Sequence, residues 1–229
     1  LFAFMTITLQ SNQTVTGLAI NFLGNGLAPY FYRLVFKVTL DTPRVEPFQN
    51  VPIPVLSDIP FIGDILFNHS VFTYLMFLLV AVTFVIIYKT PFGLRLNAVG
   101  ESPQTADTLG VNVGRIRYIC VVIGGALAGM AGAFYSLVEL GSYSDSMING
   151  RGFIASALVI FGRWDPVWTF GGALLFGLID AFQNRLQVLG SPIPSNFLQV
   201  LPYVMTILVL LIGRIRKPPA ALCIPYGRK

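Results

Sequence analysis

The chain has 229 residues, of which 55% are hydrophobic and only 11% charged, and its mean hydropathy is +0.72. Soluble domains carry about a quarter charged residues, so a soluble globular protein is excluded and the chain reads as an integral membrane protein. The net charge of +5 is gathered at particular loops, which makes it a record of topology and argues against nucleic-acid binding.

In chain order, residues 1–9 read as the end of a segment already under way, so a piece of a longer chain is expected. No signal peptide is visible, because a charged start followed by an apolar core is missing. Spanning a bilayer takes about 20 apolar residues. Residues 14–31, 71–88, 118–138, 167–182 and 197–212 reach or approach that length. The apolar stretch 152–162 is shorter, and reads as a tilted or broken span or as a re-entrant segment inside the bundle. The expected fold is an all-α polytopic transmembrane bundle with about six crossings, forming one domain over 1–229.

The first span is interrupted by Asn21 and Asn25. Gly17, Asn21, Gly24 or Asn25, and Ala28 share one helical face, which either lines a polar pathway or makes interhelical hydrogen bonds that fix packing. A Pro-rich loop, 43–60, follows as a surface excursion. The triplets Asn12-Gln13-Thr14 and Asn68-His69-Ser70 match the glycosylation pattern, one that arises readily by chance. His69 is the only histidine, so neither a metal site nor a His-dependent triad can be assembled with it.

Residues 91–117 form a polar, glycine-punctuated island between apolar segments. Ser102 suits a helix N-cap, Pro103 the first helical position and Gly110 a left-handed stop, which predicts a short helix over 103–109. Thr105 replaces the Glu or Gln of a reciprocal capping box. Gln104, Asp107 and Thr108 are expected to face outward, and Ala106 and Leu109 to share an apolar side. A compact helix outside the bilayer is a docking element.

Beyond the island, small residues recur at four-residue spacing, Gly125 with Gly129 and Ala128 with Gly132. Such a stripe lets helices approach closely, and packing within the chain is expected over packing against a second subunit. Trp164 and Trp168 suit an interfacial anchor. Asp180, Gln183, Asn184 and Arg185 end the next-to-last span, with Asp180 and Asn184 four apart, and a lone carboxylate there makes a thin proton relay. The two cysteines, Cys120 and Cys223, imply no disulfide framework. The island carries Lys89, Arg95, Arg115 and Arg117, and the tail Arg214, Arg216, Lys217, Arg228 and Lys229, so both are assigned to the cytoplasm. The loop 39–70, with Asp41, Glu46, Asp58 and Asp64 against Arg44, is assigned to the outside. Alternation satisfies both assignments only if 152–162 crosses.

The island also carries Ala98-x-Gly100, Ala106 and Gly110-Val111-x-Val113, followed by a Gly/Ala-rich span, and farther on come Gly162-Arg163-Trp164-x-Pro166 with Gly171, Gly172 and Gly177. In these features the chain resembles ABC importer permeases of the simple-sugar, nucleoside and branched-chain amino acid group, and most of all the nucleoside and simple-sugar branch. It departs from the maltose-type motif, since Glu101 is not followed by Ala-Ala and no Ile-x-Leu-Pro follows Gly110.

The resemblance implies a multi-pass subunit of the bacterial plasma membrane with a cytoplasmic C-terminus. Its partners would be cytoplasmic ABC ATPase subunits, a second permease subunit, identical or different, and an extracytoplasmic substrate-binding protein. The ATPase-coupling residues would be Gly100, Glu101, Ser102, Pro103, Gln104, Ala106, Asp107, Thr108 and Gly110. Asn21, Asn25 and Asp180 are the pathway candidates, and Gly125, Gly129 and Gly132 the helix-packing ones. No cofactor or metal is expected and the chain is not read as an enzyme, since it has no G-x-x-x-x-G-K-[ST] loop to cradle nucleotide phosphates. Family permeases also have more spans before the equivalent of Thr14. The alternatives are a branched-chain amino acid permease and a proton-coupled secondary transporter using Asp180.

Overall fold

The computed structural model describes residues 1–37, 46, 51–52, 68–145, 147–148, 150–190, 197, 200, 203–204, 207 and 218–227. The expected span 197–212, the Pro-rich loop 43–60 and the basic cluster 214–217 therefore lie wholly or mostly outside the described residues.

A π-helical turn, Phe4–Thr8, leads into α1, Gln13–Phe36. Asn12, half of one glycosylation pattern, is the N-cap of α1: its side-chain oxygen accepts from the N–H groups of Thr14 at 3.0 Å and Val15 at 3.2 Å. Helix α2 is Val71–Lys89, α3 Pro91–Glu101, α4 Pro103–Thr108 and α5 Val113–Phe134, the last continued by a π-helical turn Tyr135–Glu139. Two further helices follow, α6 Arg151–Phe161 and α7 Pro166–Val188. The all-α expectation needs one amendment. Strands β1, Val51–Pro52, and β2, Asn68–His69, pair antiparallel, with Val51 opposite His69. Tyr74 clasps the pair, its hydroxyl donating to the Val51 carbonyl and accepting from the His69 N–H, both at 3.1 Å.

Among the described residues, α2 and the continuous stretch Val113–Glu139 are long and apolar enough to cross a membrane by themselves, and their apolar windows are not buried by the rest of the chain. That is the surface a lipid solvent permits, since lipid tails satisfy apolar side chains as well as a protein core does. The buried apolar cluster sits instead in the island, where Val99, Ala106, Val113 and Ile116 meet and Leu96, Val111, Cys120 and Tyr226 pack against them.

The chain divides into two compact units, Leu1–Leu79 with Pro91–Asn149 and Ala221–Lys229, and Val80–Thr90 with Gly150–Ala220. In the first, Tyr32 near the end of α1 stacks on Tyr143 with ring centroids 4.5 Å apart, and Arg33 faces Asp145 at 3.9 Å. Burial and the neighbouring Asp145 push the Tyr143 phenol above its ordinary pKa. At the other end of α1, the Thr8 hydroxyl bonds the Tyr118 hydroxyl.

The second unit contains the end of α2 and a helical hairpin of α6 and α7. Its turn takes two consecutive non-glycine residues through the left-handed region, Arg163 at φ 58° and Trp164 at φ 62°. Asp165 then caps α7, accepting from Val167 N–H at 2.8 Å and Trp168 N–H at 3.2 Å, and its second carboxylate oxygen accepts from the Tyr88 hydroxyl at 2.6 Å. Gly162 is obligatory here. A Cβ at that position would stand within 2.6 Å of three Thr169 atoms, two of them backbone.

Candidate functional site

The island is built as a bracket. Helix α3 was not foreseen, although Phe92, Leu96 and Val99 carry helical spacing, because Gly93 and Gly100 with the polar Arg95 and Asn97 mask the period. In α4 the local chemistry follows the sequence closely. Ser102 Oγ accepts from the Thr105 N–H at 3.4 Å, and the Ser102 and Thr105 hydroxyls bond at 2.8 Å, while the Ser102 N–H, which a capping-box side chain would have bound, donates to the Ala98 carbonyl at 2.9 Å. At the other end Val111 N–H reaches the Ala106 carbonyl at 3.0 Å and Gly110 N–H the Asp107 carbonyl at 2.9 Å, with Gly110 at φ 81°. These two bonds make a Schellman motif. Asn112 starts α5 by accepting from the Arg115 N–H at 2.9 Å.

One expectation fails. Ala106 is 2% exposed and anchors α4 to the core, but Leu109 is 78% exposed, so they share no buried side. Leu109 is the C-cap of α4, past the last helical residue, and its side chain leaves the stripe that helical periodicity would assign it. The outward face of the bracket therefore comprises Glu101, Gln104, Thr105, Thr108, Leu109 and Gly110, with Ser102, Pro103 and Asp107 partly covered and Gly100 accepting a hydrogen bond from the chain's tail. Leu109 thus stands exposed on a face that also presents the hydroxyls of Thr105 and Thr108, the Gln104 amide and the Glu101 carboxylate.

The C-terminal tail supplies contacts that no sequence signal announced. Ala221 N–H donates to the Gly100 carbonyl at 3.0 Å, Arg117 Nη1 donates to the Ile224 carbonyl at 2.9 Å, and the Tyr226 ring packs against the island core.

Of the pathway candidates, Asn21 and Asn25 lie in the first unit and bond each other, Asn25 Nδ2 to Asn21 Oδ1 at 2.9 Å, on an exposed face of α1. Asp180 lies in the second unit and is paired with Arg151 at 3.3 Å, with side-chain exposures of 22% and 40%. This corrects the view of Asp180 as a carboxylate without a partner. Sequence distance hid the pair, since Arg151 opens α6 and Asp180 comes late in α7. One turn on from Asp180, Gln183 is buried and its side-chain oxygen has no hydrogen-bond partner among the described residues.

The Gly125, Gly129 and Gly132 positions have no described residue within 4 Å of where a Cβ would stand. The expected packing of this stripe within the chain is thus not met among the described residues. A cavity of about 410 Å³ between α2 and α5 is lined by Phe72, Met76, Leu79, Leu127, Met130 and Phe134 among others, too apolar for a hydroxyl-rich ligand. No cluster of three or more metal-ligating side chains occurs among the described residues.

Residues 1–210 match the family model described as branched-chain amino acid transport system / permease component. The chain is similar to the guanosine ABC transporter permease of Bacillus subtilis, 38% identical over 227 residues, which is 95% of this chain and 70% of the relative. It is also 38% identical to a nucleoside ABC transporter permease of Lactococcus lactis over 218 residues, 92% of this chain and 67% of the relative. A putative glucose ABC transporter permease of Haloferax volcanii is 35% identical over 245 residues, 97% of this chain and 73% of the relative. No solved structure matches. The chain therefore belongs to the family of branched-chain amino acid transport system permease components, and is a membrane protein of that family.

Proposed function

We propose that the chain is the membrane permease subunit of an ATP-driven ABC importer for nucleosides, with simple sugars as the neighbouring substrate class. The observation that carries this reading is the bracket. A capped helix is held rigidly on a buried core just outside a span, with Gln104, Thr108 and Leu109 presented outward. Such a helix converts movement of a docked partner into movement of the spans attached to it, and a separate ATPase supplies that movement by favouring one arrangement over the other.

The substrate assignment follows the nucleoside relatives and agrees with the uncharged amides of Asn21, Asn25 and Gln183, which offer donors and acceptors without net charge. The one charged pathway candidate, Asp180, already has Arg151 as its counter-ion, which leaves no free charge pair among the candidates for an α-amino acid.

In this reading residues 1–229 form one permease domain of about six crossings, and 91–117 is its cytoplasmic coupling loop. The return of the tail to the island supports this count, because four crossings between them bring the chain back to the same side. A second permease subunit covers the glycine stripe of α5, and an extracytoplasmic binding protein delivers the substrate.

The test is uptake of labelled guanosine into proteoliposomes holding the complete assembly. Uptake requires ATP and the binding protein, persists when the proton gradient is collapsed at constant ATP, and survives Asp180→Asn at least in part. Uptake driven by an imposed pH gradient without ATP, and abolished by Asp180→Asn, overturns the proposal in favour of a secondary transporter.

A further inference from the structure

We infer that the C-terminal segment 221–227 is a strap that positions the coupling helix, with Arg117 and Tyr226 as its positioning residues. Three attachments hold it, each at a different part of the bracket. Gly100 lies in the last turn of α3, where carbonyls have no partner within the helix, and the Ala221 N–H supplies one at 3.0 Å. The Arg117 guanidinium, near the start of α5, donates to the Ile224 carbonyl at 2.9 Å, so a charged donor fixes the tail backbone. The Tyr226 ring closes the cluster of Val99, Ala106, Val113 and Ile116, the cluster into which α4 inserts Ala106.

Between the first two attachments Cys223 is held at φ 59°, a conformation that non-glycine residues rarely adopt. A free tail would relax out of it. Helix α4 has only six residues, far below the roughly 12 to 15 at which an isolated helix begins to hold in water. Its direction is therefore set by the platform beneath it, and the strap completes that platform. The match to the family model ends at residue 210, so the strap lies beyond the part of the chain that the model describes.

The inference rests on the coupling role proposed above for α4, and the experiment separates the two. The strap itself is read without any ATPase. In membranes holding the permease with Ala106→Cys in a Cys120→Ser, Cys223→Ser background, N-ethylmaleimide labels the introduced thiol slowly. Deleting residues 220–229 raises the rate by about tenfold or more, as opening of a local structural unit does. Coupling is read in the reconstituted complex as substrate moved per ATP and as the ATPase concentration that half-saturates assembly. Tyr226→Ala and Arg117→Ala lower the first and raise the second several-fold, and Tyr226→Phe, which keeps the ring that packs on the cluster, restores both at least in part.

Unchanged labelling after deletion overturns the strap. Faster labelling with coupling intact, in a complex that Gly110→Val still uncouples, overturns the positioning role and leaves the docking role of α4 standing. Coupling insensitive to Gly110→Val as well overturns the docking role and, with it, the positioning inference.

Discussion

At the residue scale, two glycines carry constraints of different kinds. Gly110 has open space around it, so what it supplies is the left-handed backbone of the Schellman turn at φ 81°. A β-branched residue there costs about 1–2 kcal/mol in backbone strain, and the strain is relieved by reorienting α4. Gly110→Val should therefore leave the protein in the membrane and reduce substrate-stimulated ATP hydrolysis by the complex. Gly162 is constrained by space. Its added Cβ would meet the Thr169 backbone at 2.5 and 2.6 Å, which cannot rotate aside. Gly162→Ala should destabilise the α6–α7 hairpin by about 1–3 kcal/mol, the range for overpacking, read as a lowered melting temperature in detergent. The reason that Arg163 and Trp164 follow it was not legible from residue types, since both take φ values that their side chains disfavour.

At the scale of the element, α4 has a buried side and, in the proposed reading, a docking side, which substitution should separate. Ala106 is 2% exposed, in a cluster with Val99, Val113 and Ile116, so Ala106→Leu should unseat the helix at a cost of about 1–3 kcal/mol and lower both stability and ATPase stimulation. Leu109 is 78% exposed, so Leu109→Ser should leave the melting temperature within a degree or two of the original, surface changes being worth under about 0.5 kcal/mol, while weakening assembly with the ATPase in a titration. Equal effects of the two variants on stability would contradict this division. The cap, the proline start and the glycine stop of α4 were all readable, because each depends on neighbours within a few residues. The side that Leu109 faces was not, because it depends on where the last helical turn ends.

For the whole molecule, topology is the property with the widest consequences. The end of α1 meets the segment after α5 through Tyr32–Tyr143 and Arg33–Asp145, and its start meets α5 through Thr8–Tyr118. Helices α1 and α5 therefore run in the same direction, which agrees with the proposed reading of both as inside-to-outside crossings. Maleimide labelling of intact cells and inverted vesicles should place Ser144→Cys outside, and Thr105→Cys together with the native, exposed Cys223 inside. Labelling of Cys223 from the side of Ser144→Cys would refute an even number of crossings between island and tail.

The membrane class, the capped helix α4 and the family resemblance were determined by the sequence alone. These rest on composition and on interactions within one helical turn, which a linear reading contains. Only the tertiary structure decided that Arg151 is the counter-ion of Asp180, that the glycine stripe of α5 is uncovered among the described residues, and that the tail returns to Gly100 and Arg117. Those pairs are separated by 29 to 121 residues, and in a chain whose spans are apolar on most faces hydropathy gives no signal of which face meets which. Their geometry follows from how the helices close on one another, and no local pattern encodes that.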